Sequence, residues 1–245
     1  MSFLDLPFMF DSFVQLCRGI PLTLQLMALS VISGAVLATI MATMRLSGNL
    51  ILDLIARGYI FVLRGTPLLV QLYIIYYGLS QFPELRRSFL WPFLREPYWC
   101  AVMALALNTA AYSAEIIRGG VLSVATGQIE AARAYGMSGF TLVRRILAPQ
   151  ALRQMLPAYS NEVILMVKST ALASTITMME VTGLAAKLIS ATYRPVEVFI
   201  CAGAIYLILN FVVTRIFKLL EYRLSAAQRQ PERQPVIVQA AGGNS

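Results

Sequence analysis

The sequence predicts an all-α integral membrane protein built on five transmembrane helices. The chain is 58% hydrophobic and only 13% charged, with a mean hydropathy of +0.69, the balance of a polytopic membrane protein rather than a soluble domain. Its apolar residues gather into five stretches, each close to the roughly 20 residues a helix needs to cross a bilayer. One long charged passage, at about 119–153, separates the third stretch from the fourth. The length fits a single membrane domain, 19–224, between a leading segment, 1–18, and a tail, 225–245.

The leading segment carries Asp5 and Asp11 where a signal peptide needs basic residues, and no small-residue cleavage site follows, so it is expected to stay attached. Residues 19–44 hold no charge between Arg18 and Arg45, and the first helix is expected at about 20–44. The second is expected at about 59–79. Arg64-Gly65-Thr66-Pro67 interrupts it, and because proline removes a backbone donor, a kink is expected there with the freed carbonyl met by a neighbour or water. The loop that follows, to about Glu96, is rich in aromatic residues such as Trp91, with Tyr98 and Trp99 just beyond, and these suit the headgroup level. The remaining helices are expected at about 98–118, 157–179 and 198–218, the fourth interrupted by Glu162 and Lys168. The tail is polar and contains Pro and Gly, the composition of a disordered segment.

Within the charged passage, Glu130 to Pro149 reads as two short helices with a corner between them. The first, about Gln128–Tyr135, stops at Gly136, which adopts the left-handed conformation without a Cβ penalty. Ser138 is a good N-cap for the second, where Phe140, Val143, Ile146 and Leu147 recur at helical spacing, and Pro149 is expected to end it. A helix, a glycine corner and a second helix form a compact, partly apolar knob outside the membrane, suited to docking. The alternative is an amphipathic helix lying on the lipid surface, which does not call for a glycine corner.

Orientation follows from the basic residues. With the knob in the cytoplasm, twelve of them, among them Arg45, Arg57, Arg144, Arg145, Arg229 and Arg233, lie on that side; six (Arg18, Arg86, Arg87, Arg95, Lys187 and Arg194) lie opposite. The positive-inside rule favours this arrangement, with the N-terminus outside and the C-terminus inside. It also accounts for the net charge of +8 without nucleic acid, because the arginines are dispersed among loops.

Several chemistries are excluded. Cys17, Cys100 and Cys201 are odd in number and far apart, so no disulfide framework or zinc site is indicated, and the chain has no histidine. Histidine-based metal sites and Ser-His or Cys-His nucleophiles are therefore absent. No Gly-Lys pair occurs, so no phosphate-cradling P-loop is present and any ATP must be handled by a partner.

Charges inside the membrane need partners or a water-filled cavity, since each costs about 2.5–3.5 kcal/mol at the bilayer centre. With the fourth helix starting near Pro157, Lys168 lies about 16 Å in and Glu162 about 8 Å in. Asn108 then falls near mid-membrane and Glu115, on the same face of the third helix, near its inner end. Two polar layers are expected: Asn108 with Lys168, and Glu115 with Glu162. Together they read as a solute path in which Lys168 meets a carboxylate, Asn108 adds a neutral hydrogen bond, and Glu162 or Glu115 receives a cation. Arg64 reads equally as a structural partner of one glutamate. An intramembrane acid–base enzyme on Glu115 and Glu162 lacks any nucleophile or metal set beside it. Five helices are few to enclose a hydrated path, which points to a second, related chain completing a pseudo-symmetric dimer.

The passage resembles the "EAA" loop of bacterial ABC-importer permeases, whose pattern is EAA, three residues, Gly, nine residues, Ile, any residue, Leu-Pro. Glu130, Ala131, Ala132, Gly136, Ile146 and Pro149 match it, and Ala148 stands where Leu is expected. LRGTPLLVQ (63–71), LALNTAAYSAEI (105–116), LPAYSNEVILMVKSTALAS (156–174) and KLISATYRP (187–195) are similar to the polar and basic amino acid importers, most of all the M-type subunits for histidine, arginine, octopine and nopaline. The resemblance implies the type I importer permease fold, with a coupling helix between helices 3 and 4 that docks on an ATPase. It implies an inner-membrane permease, not itself an enzyme, binding no cofactor or metal. ATP and Mg would be used by two ATP-binding subunits, alongside a related permease and a periplasmic binding protein. It also maps the substrate-lining region onto Asn108, Glu115, Glu162 and Lys168. The rival reading is a stand-alone, ion-coupled secondary transporter. That class is built on inverted repeats, which the sequence does not show.

Overall fold

The computed structural model describes residues 5–224. The expected disordered tail, 225–245, with Arg229 and Arg233 of the charge count, lies outside the described residues, as do residues 1–4. In chain order the elements are α1 (Leu6–Cys17), α2 (Ile20–Leu46), α3 (Leu50–Gly65), α4 (Leu68–Tyr73), α5 (Pro83–Arg86), α6 (Trp91–Leu94), α7 (Pro97–Leu122), α8 (Thr126–Ala134), α9 (Gly139–Leu142), α10 (Ala148–Ser169), α11 (Val181–Thr192) and α12 (Pro195–Leu224). Three of them, α2, α7 and α12, are long and apolar enough to cross a membrane on their own. Two bent pairs bring the number to five if each is one span: Leu50–Gly65 with Leu68–Gln81, bent by 105°, and Gly139–Ile176 with Val181–Thr192, bent by 48°.

The centre of the bundle is the α2–α7 seam, the most extensive helix pair in the fold. Its buried positions on α2 are Thr23, Leu26, Ser30, Gly34, Ala38 and Ala42, about one turn apart, and Ala101, Ala104, Ala110 and Ala114 answer on α7. Small residues let backbones approach closely, which drives helix association where lipid tails remove the hydrophobic incentive. A Cβ on Gly34 would strike the Thr109 methyl and sit 3.1 Å from the Ala106 carbonyl oxygen. The Ser30 hydroxyl donates across the seam to the Val102 carbonyl at 3.4 Å.

The leading segment, to which the sequence reading assigned no element, forms a helix of its own. Asp5 caps α1, accepting from the Phe8 amide at 3.2 Å and from Arg194 at 3.0 Å, while the Arg194 guanidinium lies 4.8 Å from the Phe8 ring centre. The Arg194 hydrogen bond, helped by the Phe8 amide, holds the Asp5 carboxyl below its ordinary value. The contact is therefore complete above the ordinary carboxylate range and is lost as pH falls through that lowered value. One face of α1 packs with Leu16 into a core shared with α10, α11 and α12; Leu6, Phe10 and Val14, a turn apart, point outward.

Several boundaries differ from expectation, most of them at prolines. The second apolar stretch starts at Leu50, not near Tyr59, and is broken rather than kinked: Thr66 (φ −113°, ψ 144°) and Pro67 (φ −63°, ψ 136°) are both extended. The residue before proline is driven out of the helical region, so the chain turns a corner. Pro149 does not end a helix. A π turn at Val143–Leu147 leads straight into α10, with Pro149 in its first turn. Consequently the fourth long helix begins at Ala148 and carries Pro157 in its interior instead of starting there. It gives way to a 3₁₀ stretch, Thr170–Ile176, that ends at Thr177 with φ 68°.

Candidate functional site

The break between α3 and α4 is closed by side chains. The Gln71 amide donates to the Leu63 carbonyl (2.8 Å), the Thr66 carbonyl (3.0 Å) and the Thr66 hydroxyl (2.9 Å), and its own oxygen accepts from Asn108 Nδ2 at 3.1 Å. Gln71 thus meets the carbonyl that the sequence reading expected a neighbour or water to satisfy, and Asn108 locks Gln71 in place. Asn108 lies where it was expected, near the middle of α7, but part of its hydrogen-bonding capacity serves this corner.

The corner opens one wall of a cavity of about 560 Å³. Arg64, Gly65, Thr66 and Pro67 line it from the break, Asn108 and Tyr112 from α7, and Glu162, Leu165, Met166 and Ser169 from α10. Glu162 accepts a hydrogen bond from the Thr109 hydroxyl at 2.9 Å. The Arg64 guanidinium lies 5.0 Å from the centre of the Tyr112 ring, a cation–π contact, and among the described residues it forms no ion pair. One cavity therefore presents a carboxylate and a guanidinium to the same space. A second cavity, about 480 Å³, shares Arg64, Gly65 and Tyr112 with the first and continues past Arg45, Arg57 and Glu115 towards the α8 end of the bundle.

The expected pairing of layers is corrected. Glu162 stands beside Thr109, at the Asn108 level and not at the Glu115 level, because α10 starts earlier in the chain than the reading from Pro157 assumed. Glu115 is held in an ion-pair chain at the ends of α2, α3 and α7: Arg118 binds it at 2.9 Å, Arg45 contacts it from the other side and reaches Asp53 at 2.8 Å, and Arg57 joins Asp53. Its partners are arginines, so it is not paired with Glu162. Lys168 does not join Asn108: it faces a different groove, between α10 and α12. The structure thus brings Asn108 and Glu162 together, adds Arg64 and Tyr112, and sets Glu115 and Lys168 apart. Tyr112 went unremarked in the sequence, although it lies one helical turn from Asn108 and so on the same face.

The sequence reading also missed Glu180, which is fully buried at the start of α11. Its carboxylate accepts from the Thr182 amide (3.0 Å), the Gly183 amide (2.8 Å) and the Tyr206 hydroxyl (2.7 Å). This ties α11 to α12. No local signal marked it, because glutamate is not among the residues favoured at a helix N-cap.

The knob has the expected corner. Gly136 has φ 79°; its amide donates to the Arg133 carbonyl at 2.9 Å and the Met137 amide to the Ala132 carbonyl at 3.0 Å, the paired bonds of a Schellman motif. Ala132 is buried, Glu130, Ala131 and Pro149 are exposed and Ile146 is half-buried. Tyr135 and Phe140, flanking the corner, are 85% and 77% exposed, a large apolar surface outside the apolar spans. Among the described residues no group of three His, Cys, Asp or Glu side chains is placed to hold a metal ion.

Comparison with known proteins gives a consistent result. Residues 34–226 match the family described as "Binding-protein-dependent transport system inner membrane component". The chain is 66% identical over 226 residues to the octopine transport system permease protein OccM of Rhizobium meliloti, covering 92% of each chain. It is 56% identical over 227 residues to the nopaline transport system permease protein NocM of Agrobacterium fabrum, covering 92% of this chain and 94% of the relative. To the histidine/lysine/arginine/ornithine transport system permease protein HisM of Escherichia coli K12 it is 45% identical over 206 residues, covering 84% and 87%. Among solved structures it superposes on a chain of an amino acid ABC transporter crystallised with histidines, with TM-score 0.79, 38% identity and coverage of 91% and 100%.

Proposed function

Because the chain belongs to the binding-protein-dependent transport system inner membrane components, a family of multi-pass importer permeases, we propose that it carries a basic amino acid or an arginine-derived opine across the bacterial inner membrane. ATP would be hydrolysed by two partner subunits, and a periplasmic binding protein would deliver the solute. The observation that carries the substrate class is the single cavity bearing Glu162 and Arg64. An arginine-like solute presents a cation at one end and a carboxylate at the other, and moving both out of water requires groups of both signs. Glu162 receives the cationic end. Arg64, stacked on Tyr112, meets the carboxylate that the sequence reading gave to Lys168, and Asn108 holds the corner in shape. Glu115 is a structural member of the ion-pair chain below the cavity. The names of the octopine, nopaline and histidine/arginine relatives support the same class.

The test is reconstitution of the chain with a second permease subunit, the ATPase and the binding protein in proteoliposomes. ATP-dependent uptake of arginine or octopine, exceeding that of alanine, is expected. Uptake driven by an ion gradient without ATP would instead establish the secondary-transporter reading.

In this reading each bent pair is one of five spans, and the bundle end bearing α8 is cytoplasmic. A reporter fused after Leu224 is then expected to read cytoplasmic and one inserted between Phe82 and Arg95 periplasmic; the reverse pattern overturns the topology. The knob, with Glu130, Ala131, Ala132, Gly136, Ile146 and Pro149, docks on the ATPase through the exposed rings of Tyr135 and Phe140. Gly136→Val places a β-branched residue at φ 79°, where strain of about 1–3 kcal/mol is concentrated in the corner. Membrane insertion should persist while transport and co-purification of the ATPase fall. Normal transport by this variant would remove the docking assignment.

A further inference from the structure

We infer that the α10–α12 face around Lys168 seats a transmembrane helix of a second permease subunit, and that this helix brings a carboxylate opposite Lys168. The inference rests on the reading of the chain as one half of a permease pair. Lys168, Ala171, Gly203, Tyr206, Leu207 and Asn210 line a groove of about 450 Å³ that is almost wholly apolar apart from the lysine and the asparagine. This groove is separate from the Glu162 cavity.

Two polar groups in the groove lack partners. Lys168 forms no ion pair among the described residues, and three carboxylates on the elements around it are engaged elsewhere. Glu162 is bonded by Thr109 in the solute cavity, Glu180 is sealed by two amides and Tyr206, and Glu221 accepts from Ser160 at 3.1 Å. Asn210 donates through Nδ2 to the Tyr206 carbonyl at 2.9 Å, which fixes the orientation of its amide, and its Oδ1 is buried without a donor. An unpaired ammonium within a membrane span is unfavourable and lipid tails do not relieve it; the Asn210 oxygen is enclosed within this chain and out of reach of either.

A protein helix bearing a carboxylate relieves the ammonium. The groove floor is small: a Cβ on Gly203 would meet nothing within 4 Å, and Ala171 lies across from it, so a neighbouring backbone has room to approach closely. A phospholipid headgroup fits less well, because of depth. Contacts of Thr109 with Glu162 and of Gly120 with Met155 show that α7 and α10 run antiparallel. Lys168 is therefore about 9 Å beyond the Thr109 level, only halfway to the end of α7 at Pro97.

The test uses the whole complex carrying a photo-crosslinking amino acid at Leu207, which lines the groove and is 72% exposed. The expected adduct joins this chain to the second permease, within a helical turn or two of an Asp or Glu in that subunit. Lys168→Met should lower recovery of the second permease by about 100-fold, as loss of one member of a buried charge pair does, and Lys168→Arg should retain it. An adduct with phospholipid alone overturns the inference. So does Lys168→Met with the pair recovered at the native level, whether uptake is kept (a structural lysine) or lost (a lysine that meets the solute). If the native complex contains no second permease, the underlying reading of a permease pair fails instead, and the inference with it.

Discussion

Replacing Glu162 with Gln is expected to lower uptake of a cationic amino acid or opine by about 100-fold, while ATP hydrolysis stimulated by the binding protein persists. The substitution keeps the shape and the hydrogen bond from Thr109, which an amide oxygen accepts as a carboxylate does. What it removes is the negative charge in a cavity whose other charged wall is Arg64. A cation entering that space then has an uncompensated guanidinium near it and no counter-charge. Truncating one member of a desolvated charge pair costs about 2–5 kcal/mol, and about 2.7 kcal/mol corresponds to the stated factor. The docking knob lies at the far end of the ion-pair chain from Glu162, so coupling to the ATPase should survive. Glu162→Asp, which shortens the side chain but keeps the charge, should lose far less. Equal uptake by native and Glu162→Gln complexes would make Glu162 a structural partner of Thr109 and move the cation site elsewhere.

Gly34→Ala is expected to destabilise the chain more than any other single added methyl in the α2–α7 seam, because the new Cβ falls on the Thr109 methyl and 3.1 Å from the Ala106 carbonyl oxygen. Overpacking at a close helix contact costs about 1–3 kcal/mol, and here the displaced residue is also the one that holds Glu162. Thermal unfolding of the purified complex should shift downward and cation uptake should fall with it. Thr109→Ser removes the offending methyl and keeps the hydroxyl, so in that background Gly34→Ala should regain most of the loss. Additive effects in the double variant would show that the seam yields elsewhere, since contacting residues that share a clash are expected to couple.

Much of the architecture was legible because the strongest signal in the chain is apolar length, and every long apolar helix begins or ends close to the stretch that announced it. The glycine corner at Gly136 was legible for the same kind of reason: only one residue type is comfortable at φ 79°. The prolines were not. Pro67, Pro149 and Pro157 are the same residue in a break, a first turn and a helix interior, and local sequence does not separate these outcomes, which depend on whether neighbours such as Gln71 satisfy the freed backbone. From that ambiguity came the misplaced start of α10, the wrong level for Glu162 and the placing of Lys168 beside Asn108. Arg64 was left between two roles, because whether a basic residue at a break pairs with an acid or stacks on Tyr112 depends on the angle of the break, here 105°. The repeat Ser30, Gly34, Ala38, Ala42 was readable but blends into a uniformly apolar segment, where small residues look like filler until a partner helix is set against them.

That seam has a mechanical consequence. Alanine and glycine have no rotamers to exchange, so the Gly34–Ala42 half of the seam has no second packing that side-chain rearrangement alone can reach. The two helices are expected to move as one rod. Whatever rotation opens and closes a path through this chain is therefore concentrated at its joints: the Thr66–Pro67 corner, held by the side-chain amides of Gln71 and Asn108 rather than by helix bonds, and the 3₁₀ stretch between Thr170 and Ile176. Both joints flank the Glu162 cavity, with Thr66 and Pro67 lining one side and Leu172 another. A turn at either joint changes the width of the cavity while its floor on α7 stays still.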